Sequence, residues 1–290
     1  MVGKIAVVTD STADLDHELA EQNNITVVPL SIHFGDEVFK DRVELRSEEF
    51  FQKLEAASVP PRTSQPSPGD FHRIYQSLFS SGYQGIISIH ISMELSGTWQ
   101  SACIARDMLP DDQIQVINSK SASMGLGLIV LNTVKKVREG ISLSAAASYA
   151  SSLSEQQRVL FGVDTLEYLH RNGRIGRAAK LVGGLLKIKP LLYLDSDGFV
   201  APLTKIRGKN KIVSALVEQG EQFIGSGTGP VDLAVVHSLE PELATEIAAR
   251  VSERIQIRDT YLAEIGSVIG THVGPGAFAL VYFEHEVDVT

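Results

Sequence analysis

The chain is poor in the features that announce many functional classes. It has one cysteine, Cys103, in 290 residues. No internal disulfide can form, and the thiol lies in an apolar helical stretch where it reads as a small core residue. Lys and Arg total 26 against 35 Asp and Glu, a net charge of −9. That shortage of positive charge argues against nucleic acid, whose binders need a basic face, and against adsorption to anionic membrane surfaces. No apolar run reaches the roughly 18 residues of a membrane span. Residues 121–134 come nearest, and Ser121, Ser123 and Asn132 interrupt them. No secretory leader is visible, because Met1 to Asp10 passes straight into a strand and a polar turn. The expectation is a cytoplasmic protein with no integral membrane segment.

Catalytic and cofactor signatures are missing too. There is no G-x-x-x-x-G-K-[ST] phosphate loop, no G-x-G-x-x-G opening a helix, and no G-x-S-x-G nucleophile elbow. No H-E-x-x-H or Cys/His cluster suggests zinc. The eight histidines, His90 and His272 among them, show no metal-ligand spacing, and no acidic pair stands out as a catalytic dyad. No metal, no cofactor and no catalytic residue is expected.

What is present is an ordinary globular composition, 43% hydrophobic and 21% charged, at a length that suggests about two domains. The first half alternates strand and helix. Lys4–Thr9 reads as a strand, followed by capping residues Asp10–Asp14 and a helix whose apolar positions include Leu15 and Leu19. Residues 25–34 read as one extended segment, with a hairpin return at 37–40 across Gly35-Asp36. Helices are predicted from Ser47 and from Pro68, strands at 86–91 and 114–118, and a long apolar helix at about 122–138. This order implies an N-terminal α/β domain, residues 1–155, with a mostly parallel sheet covered by helices on both faces. The Ser/Ala-rich helix at 142–157 is a plausible junction. Beyond it, strand-like runs with a hairpin signal at Asp195–Gly198 predict a C-terminal α+β domain, residues 156–290, with an antiparallel or mixed sheet.

Five stretches could carry chemistry. Residues 86–102, IISIHISMELSGTWQSA, form a strand, a loop and a helix that opens on Ser96-Gly97-Thr98. A helix start offers unpaired N–H groups and the positive end of the dipole, so two hydroxyls and a glycine there could seat an anion. Ser and Thr at such positions are also common caps. Pro60–Phe71, PPRTSQPSPGDF, is a stiff proline loop dense in neutral hydrogen-bonding groups, including Thr63. Arg171 and Arg174 flank a turn at Asn172-Gly173, and KIRGKNK at 205–211 gathers Lys205, Arg207, Lys209 and Lys211; solvated surface accounts for both runs equally well. GTHVGPGA at 270–277 sets His272 among small residues before a strand, in what reads as a glycine-proline turn.

Taken in order, VTDSTADL (8–15), TSQPSPGDF (63–71), S-x-x-L-S-G-T-x-x-S-A (92–102), L-x-R-N-G-R-I (169–175), KIRGKNK and G-T-H-x-G-P-G-A resemble the DegV family over the whole chain. The resemblance implies a DegV-like two-domain fold and a lipid-binding protein of phospholipid synthesis. It would be a fatty-acid-binding, substrate-presenting subunit of a fatty acid kinase system and no kinase itself. A long-chain fatty acid would lie in a buried apolar tunnel, and a separate ATP-using catalytic subunit would convert its carboxylate to acyl phosphate. On the matching positions, the resemblance makes Thr63 and Ser96 the carboxylate's partners, with Gly97, Thr98 and His272 near the head group. Arg174 and Arg207 would serve phosphate or kinase docking, with Arg171 an alternative to Arg174. The tunnel walls would come from residues such as the 122–138 helix and Leu181–Leu192. The competing reading is a serine acyl hydrolase using Ser96 as nucleophile and His272 as base.

Overall fold

The computed structural model describes residues 3–109, 113–181, 188–207, 210–224 and 229–284. β1 (Ile5–Asp10) ends in a 3-10 turn at Ser11–Ala13, and α1 (His17–Gln22) follows. Leu15 is therefore buried in the connection, not on the helix as expected, because Asp16 caps α1 by accepting from the Glu18 N–H. The extended segment expected over 25–34 is two strands, β2 (Ile25–Val28) and β3 (Ser31–Phe34), which enter different sheets. Pro29 lies between them and has no N–H to continue a ladder. β4 (Glu37–Lys40) returns across Gly35-Asp36 as predicted. α2 (Ser47–Ala56) precedes β5 (Arg62–Ser64), a short strand inside the proline loop that the sequence did not signal. α3 (Pro68–Ser80) opens with proline in its first turn and Ser67 capping the Asp70 N–H. β6 (Gly85–His90), α4 (Thr98–Asp107), β7 (Ile114–Asn118), α5 (Met124–Arg138) and α6 (Leu143–Gln156) complete the first half.

The second half contains β8 (Arg158–Gly162), α7 (Glu167–Arg171), a 3-10 turn at Gly176–Leu181, β9 (Ile188–Leu194), β10 (Val200–Arg207) and α8 (Asn210–Ile224). It continues with β11 (Val231–His237), α9 (Pro241–Ser252), β12 (Ile257–Glu264), α10 (Ser267–Val273) and β13 (Phe278–Glu284). Three sheets result among the described residues. The first is parallel, in the order β2-β1-β6-β7; the second is mixed, in the order β10-β9-β8-β13-β11-β12; the third is a small antiparallel sheet, β4-β3-β5. The fold is α/β with a parallel and a mixed sheet, as the strand-helix order implied.

Alternation along β1 and β6 divides the first sheet into two faces. Ala6, Val8 and Ile86 pack with Phe71, Tyr75, Ala102 and Ala105 of α3 and α4. Val7, Ile87 and Ile89 join the larger cluster that holds α5 and α6. That cluster also takes Val159, Phe161, Ala234, Val236, Ala279 and Val281 from the second sheet. α5 thus lies between two sheets. This explains its lack of a polar face: every residue from Met124 to Val134 is buried. The run that came nearest to a membrane span is a helix surrounded by protein, and no described helix is long and apolar enough to cross a membrane.

The close approach of α5 to the Ser11–Ala13 turn needs Gly127. A Cβ there would sit 2.8 Å from the Ala13 carbonyl oxygen and 2.9 Å from Met124 Sδ. Alanine normally gains about 1 kcal/mol over glycine in a helix, but overpacking against backbone costs about 1–3 kcal/mol. Gly127→Ala is expected to lower the urea midpoint at an unchanged m-value. A raised midpoint would contradict this packing.

A buried chain of hydrogen bonds fixes the end of β6. The Tyr75 hydroxyl donates to Ser88 Oγ at 2.8 Å, Ser88 meets His90 Nε2 at 2.7 Å, and His90 Nδ1 meets Asp10 Oδ2 at 3.0 Å. The Asp10 oxygen can only accept, so Nδ1 carries a proton that points at it. Asp10 also accepts from the Ile91 N–H at 3.1 Å. The first residue of the site loop is thereby tied to β1.

Candidate functional site

The loops leaving β1, β6 and β7 gather at the carboxyl edge of the parallel sheet, where open α/β sheets hold their ligands. Against this edge lies a cavity of about 360 Å³. Its walls are mostly aliphatic and aromatic: Val159 and Phe161 of β8, Leu169 of α7, Leu194, Val200 and Val236 of β9, β10 and β11, Ile265 ahead of α10, Val268, Ile269 and Val273 on it, and Ala277 to Ala279 at the start of β13. Leu30, Ile91 and Leu95 add apolar surface from the first half. The expected wall from the 122–138 helix reduces to Ala122 and Ser123 just ahead of α5, because the helix itself is occupied by core packing. Of the stretch 181–192, residues 182–187 lie outside the described residues, and Leu191 and Leu192 pack in the core instead.

Thr63, Ser64, Gln65, Ser96, Arg174 and His272 supply polar groups to the same cavity. β5 places Thr63 there: its pairing partner is Ile32 on the buried middle of β3. His272 is not in a turn, as expected, but in the last turn of α10, and Gly274-Pro275-Gly276 is the turn beyond it. Gly274 and Gly276 both have positive φ, +74° and +73°, which only glycine adopts freely.

Both hydroxyls have a partner behind them. Thr63 Oγ1 lies 3.0 Å from His272 Nε2. Burial, reinforced by the nearby Arg174 cation, pulls His272 down to about 3, so the ring is neutral. Its Nδ1 is buried without a partner among the described residues. A proton on Nε2 leaves an unpaired acceptor there, where the other tautomer would leave an unpaired donor, the costlier outcome. The ring then donates to Thr63, and the threonine proton is free to face the cavity. On the other side, Ser96 Oγ lies 2.9 Å from Thr98 Oγ1 and 3.4 Å from the Thr98 N–H. Thr98 is fully buried, and its hydroxyl has no other described partner. It donates to Ser96, whose proton is likewise free. Two neutral donors of this kind suit an anion or a carbonyl oxygen.

Thr98 thus stands behind the cavity, and Gly97 is the N-cap residue of α4. Arg174 is exposed at the mouth, with Nε 3.1 Å from the Leu95 carbonyl and Nη1 2.7 Å from the Asn172 carbonyl. Arg171 points elsewhere, paired with Glu167 beside a separate groove that includes Arg62. Arg207 closes β10, but its side chain, like Gly208 and Lys209, lies outside the described residues. The hydrolase pairing of Ser96 with His272 has no hydrogen bond to support it, and no carboxylate orients the imidazole among the described residues. No described group of three or more His, Cys, Asp or Glu residues could hold a metal.

One buried cluster escaped the sequence reading. Asp14 accepts from the Ser123 hydroxyl at 2.6 Å and from the Gly266 N–H at 3.0 Å, and Asp41 accepts from the Ser267 N–H at 3.1 Å. The two carboxylates anchor the first turn of α10, the helix that carries Val268, Ile269 and His272. Arg42 lies 3.6 Å from Asp14 and donates to the Glu264 carbonyl at 2.6 Å. Burial outweighs that cation at both acids: Asp14 is raised, and Asp41 is pushed up to about 6. Asp14 sits within VTDSTADL, but Asp41 follows an exposed hairpin arm and carries no local signal.

Known proteins resemble this chain over its whole length. A family model described as "Uncharacterised protein, DegV family COG1307" matches residues 4–285. A DegV domain-containing protein of Streptomyces coelicolor is 36% identical over 278 residues, covering 96% of this chain and 97% of that protein. A solved structure of a DegV family protein from Thermus thermophilus, described by its fatty acid binding, superposes with a TM-score of 0.91 at 32% identity, covering 97% of this chain and all of that one (100%). A stearic acid-binding protein from Eubacterium ventriosum superposes with a TM-score of 0.89 at 26% identity, covering 98% of each chain. The chain belongs to the DegV family.

Proposed function

We propose that this protein binds a long-chain fatty acid and presents its carboxylate to a separate ATP-dependent kinase subunit for conversion to acyl phosphate. The observation that carries the reading is the apolar cavity with two hydroxyls, Thr63 and Ser96, each backed by its own donor. The fatty acid binding described for its relatives supports it. In this reading the protein works in the cytoplasm, with halves 1–155 and 156–290 closing on the ligand from two sides and no catalytic residue of its own.

Magnitudes divide the work. A charge-assisted hydrogen bond contributes about 1.5–3 kcal/mol, while micromolar binding needs roughly 8 kcal/mol. Fifteen buried methylenes at about 0.8 kcal/mol each offer roughly 12 kcal/mol before ordering costs. The tail sets affinity, and the hydroxyls set orientation. A bidentate arginine would hold both carboxylate oxygens and compete with phosphoryl transfer. Neutral donors leave an oxygen lone pair free to attack, and Arg174 stands at the mouth to meet a phosphate or the kinase, with Arg171 and Arg207 as further docking positions.

Mass spectrometry of the denatured protein is expected to release a long-chain fatty acid carried through purification. Thr63→Ala with Ser96→Ala is expected to cut acyl phosphate formation at least tenfold when ATP and a fatty acid kinase catalytic subunit are supplied. Undiminished product would reject the assignment of these two hydroxyls. Turnover of acyl esters by the protein alone would favour the hydrolase.

A further inference from the structure

Gln65 is the polar residue at this cavity whose place is least explained by the fold. It is exposed, it lines the cavity with Thr63 and Ser96, and its Nε2 donates to the buried Ser101 hydroxyl of α4 at 3.2 Å. Its amide lies flat across Gly97. A Cβ on residue 97 would sit 2.5 Å from Nε2 and 2.7 Å from Cδ of Gln65. Gly97 has φ −73° and ψ 8°, which any residue can adopt, so the backbone does not demand glycine there. An added Cβ would instead meet the flexible Gln65 amide, which would have to move aside.

We propose that Gln65 is a third ligand-binding residue of this site, held over Gly97 so that its amide donates to the carboxylate alongside Thr63 and Ser96. The inference rests on the fatty-acid reading above. The donor is available whichever way the amide is turned. With Nε2 on Ser101, one of its two N–H groups remains uncommitted; with the amide reversed, Oε1 accepts from Ser101 and both are free. Gln65 also covers the first turn of α4, whose N–H groups have no helical partner. The uncommitted donor therefore works beside the positive end of that helix, with no carboxylate among the described residues that line the cavity.

Binding of hexadecanoate and of hexadecan-1-ol by titration calorimetry tests this. The two probes share a tail and differ in head-group charge. Gln65→Ala is expected to weaken hexadecanoate about tenfold, the value of one hydrogen bond to a charged group, and hexadecan-1-ol by less than twofold. Gly97→Ala, which pushes the amide aside without altering it, should give the same pattern. The double variant should lose no more than either single one, because both remove one contact. Gln65→Glu keeps the length but sets a second carboxylate beside the first, and should lose more than alanine does. Equal losses for both probes, additive losses in the double variant, or hexadecanoate binding unchanged by Gln65→Ala would each overturn the role of Gln65 while leaving the fatty-acid reading intact. Wild-type protein that takes up no hexadecanoate would overturn that reading instead, and this inference with it.

Discussion

Ala279→Phe is expected to abolish retention of a long-chain fatty acid while leaving the fold in place. Ala279 lies on β13 and lines the cavity of about 360 Å³. A benzyl ring there enters space that a tail would otherwise fill. Displacing four methylenes loses about 3 kcal/mol, roughly 200-fold in affinity. Ala279→Leu takes less room and should fall between wild type and the phenylalanine variant. The readouts are fatty acid recovered after purification and the hexadecanoate dissociation constant, with circular dichroism confirming that the fold persists. A folded Ala279→Phe protein that binds hexadecanoate at wild-type strength would show that the tail does not lie against β13.

The second large effect is in the pH dependence of stability. Asp41, pushed up to about 6 from 3.8, binds more protons in the folded chain than in the unfolded one. Its contribution is therefore complete below about pH 4 and is lost as pH rises towards 6. His272, pulled down to about 3 from 6.5, binds fewer protons when folded. Its contribution is complete above 6.5 and is lost as pH falls. Each slope is about 1.4 kcal/mol per pH unit, and between pH 4 and 6 they oppose one another. Relative to wild type, Asp41→Asn should therefore gain about 2 kcal/mol on going from pH 4 to pH 6, and His272→Gln should lose about 2.5 kcal/mol over the same interval. Asp14, also raised, adds to the Asp41 sense. Urea unfolding of ligand-free protein at pH 4, 5 and 6 measures all three chains. Variant curves that run parallel to wild type would mean that neither group changes its protonation on folding.

Regular structure was legible in the sequence where local chemistry decides it. Ser67-Pro68 opens α3, Gly35-Asp36 turns the β3–β4 hairpin, and Asp195–Gly198 turns β9 into β10 as their residue types predict. The break at Pro29 was misread because two short strands in different sheets look the same along the chain as one long strand. β5 was hidden in the proline loop because a three-residue strand exists only through its partner β3. The helical setting of His272 was missed for a similar reason: α10 is held by Asp14 and Asp41, more than 220 residues away in sequence, and not by its own propensity. Thr63, Ser96 and His272 could be chosen from motif resemblance, and the structure lines one cavity with all three. The donors behind the hydroxyls, and the rival destinations of Arg171 and Arg174, depend on side-chain directions that no spacing encodes.

β13 is the last strand described in the chain, yet it lies inside its sheet, between β8 and β11. It also supplies Phe278 and Ala279 to the cavity wall. Until β13 has emerged from the ribosome, β8 and β11 have no common neighbour, and one side of the cavity is open to water. Such long-range closure is slow, so the apolar compartment stands incomplete until β13 has paired with both neighbours. On the proposed reading, a chain that has not yet paired β13 cannot hold a fatty acid in this cavity.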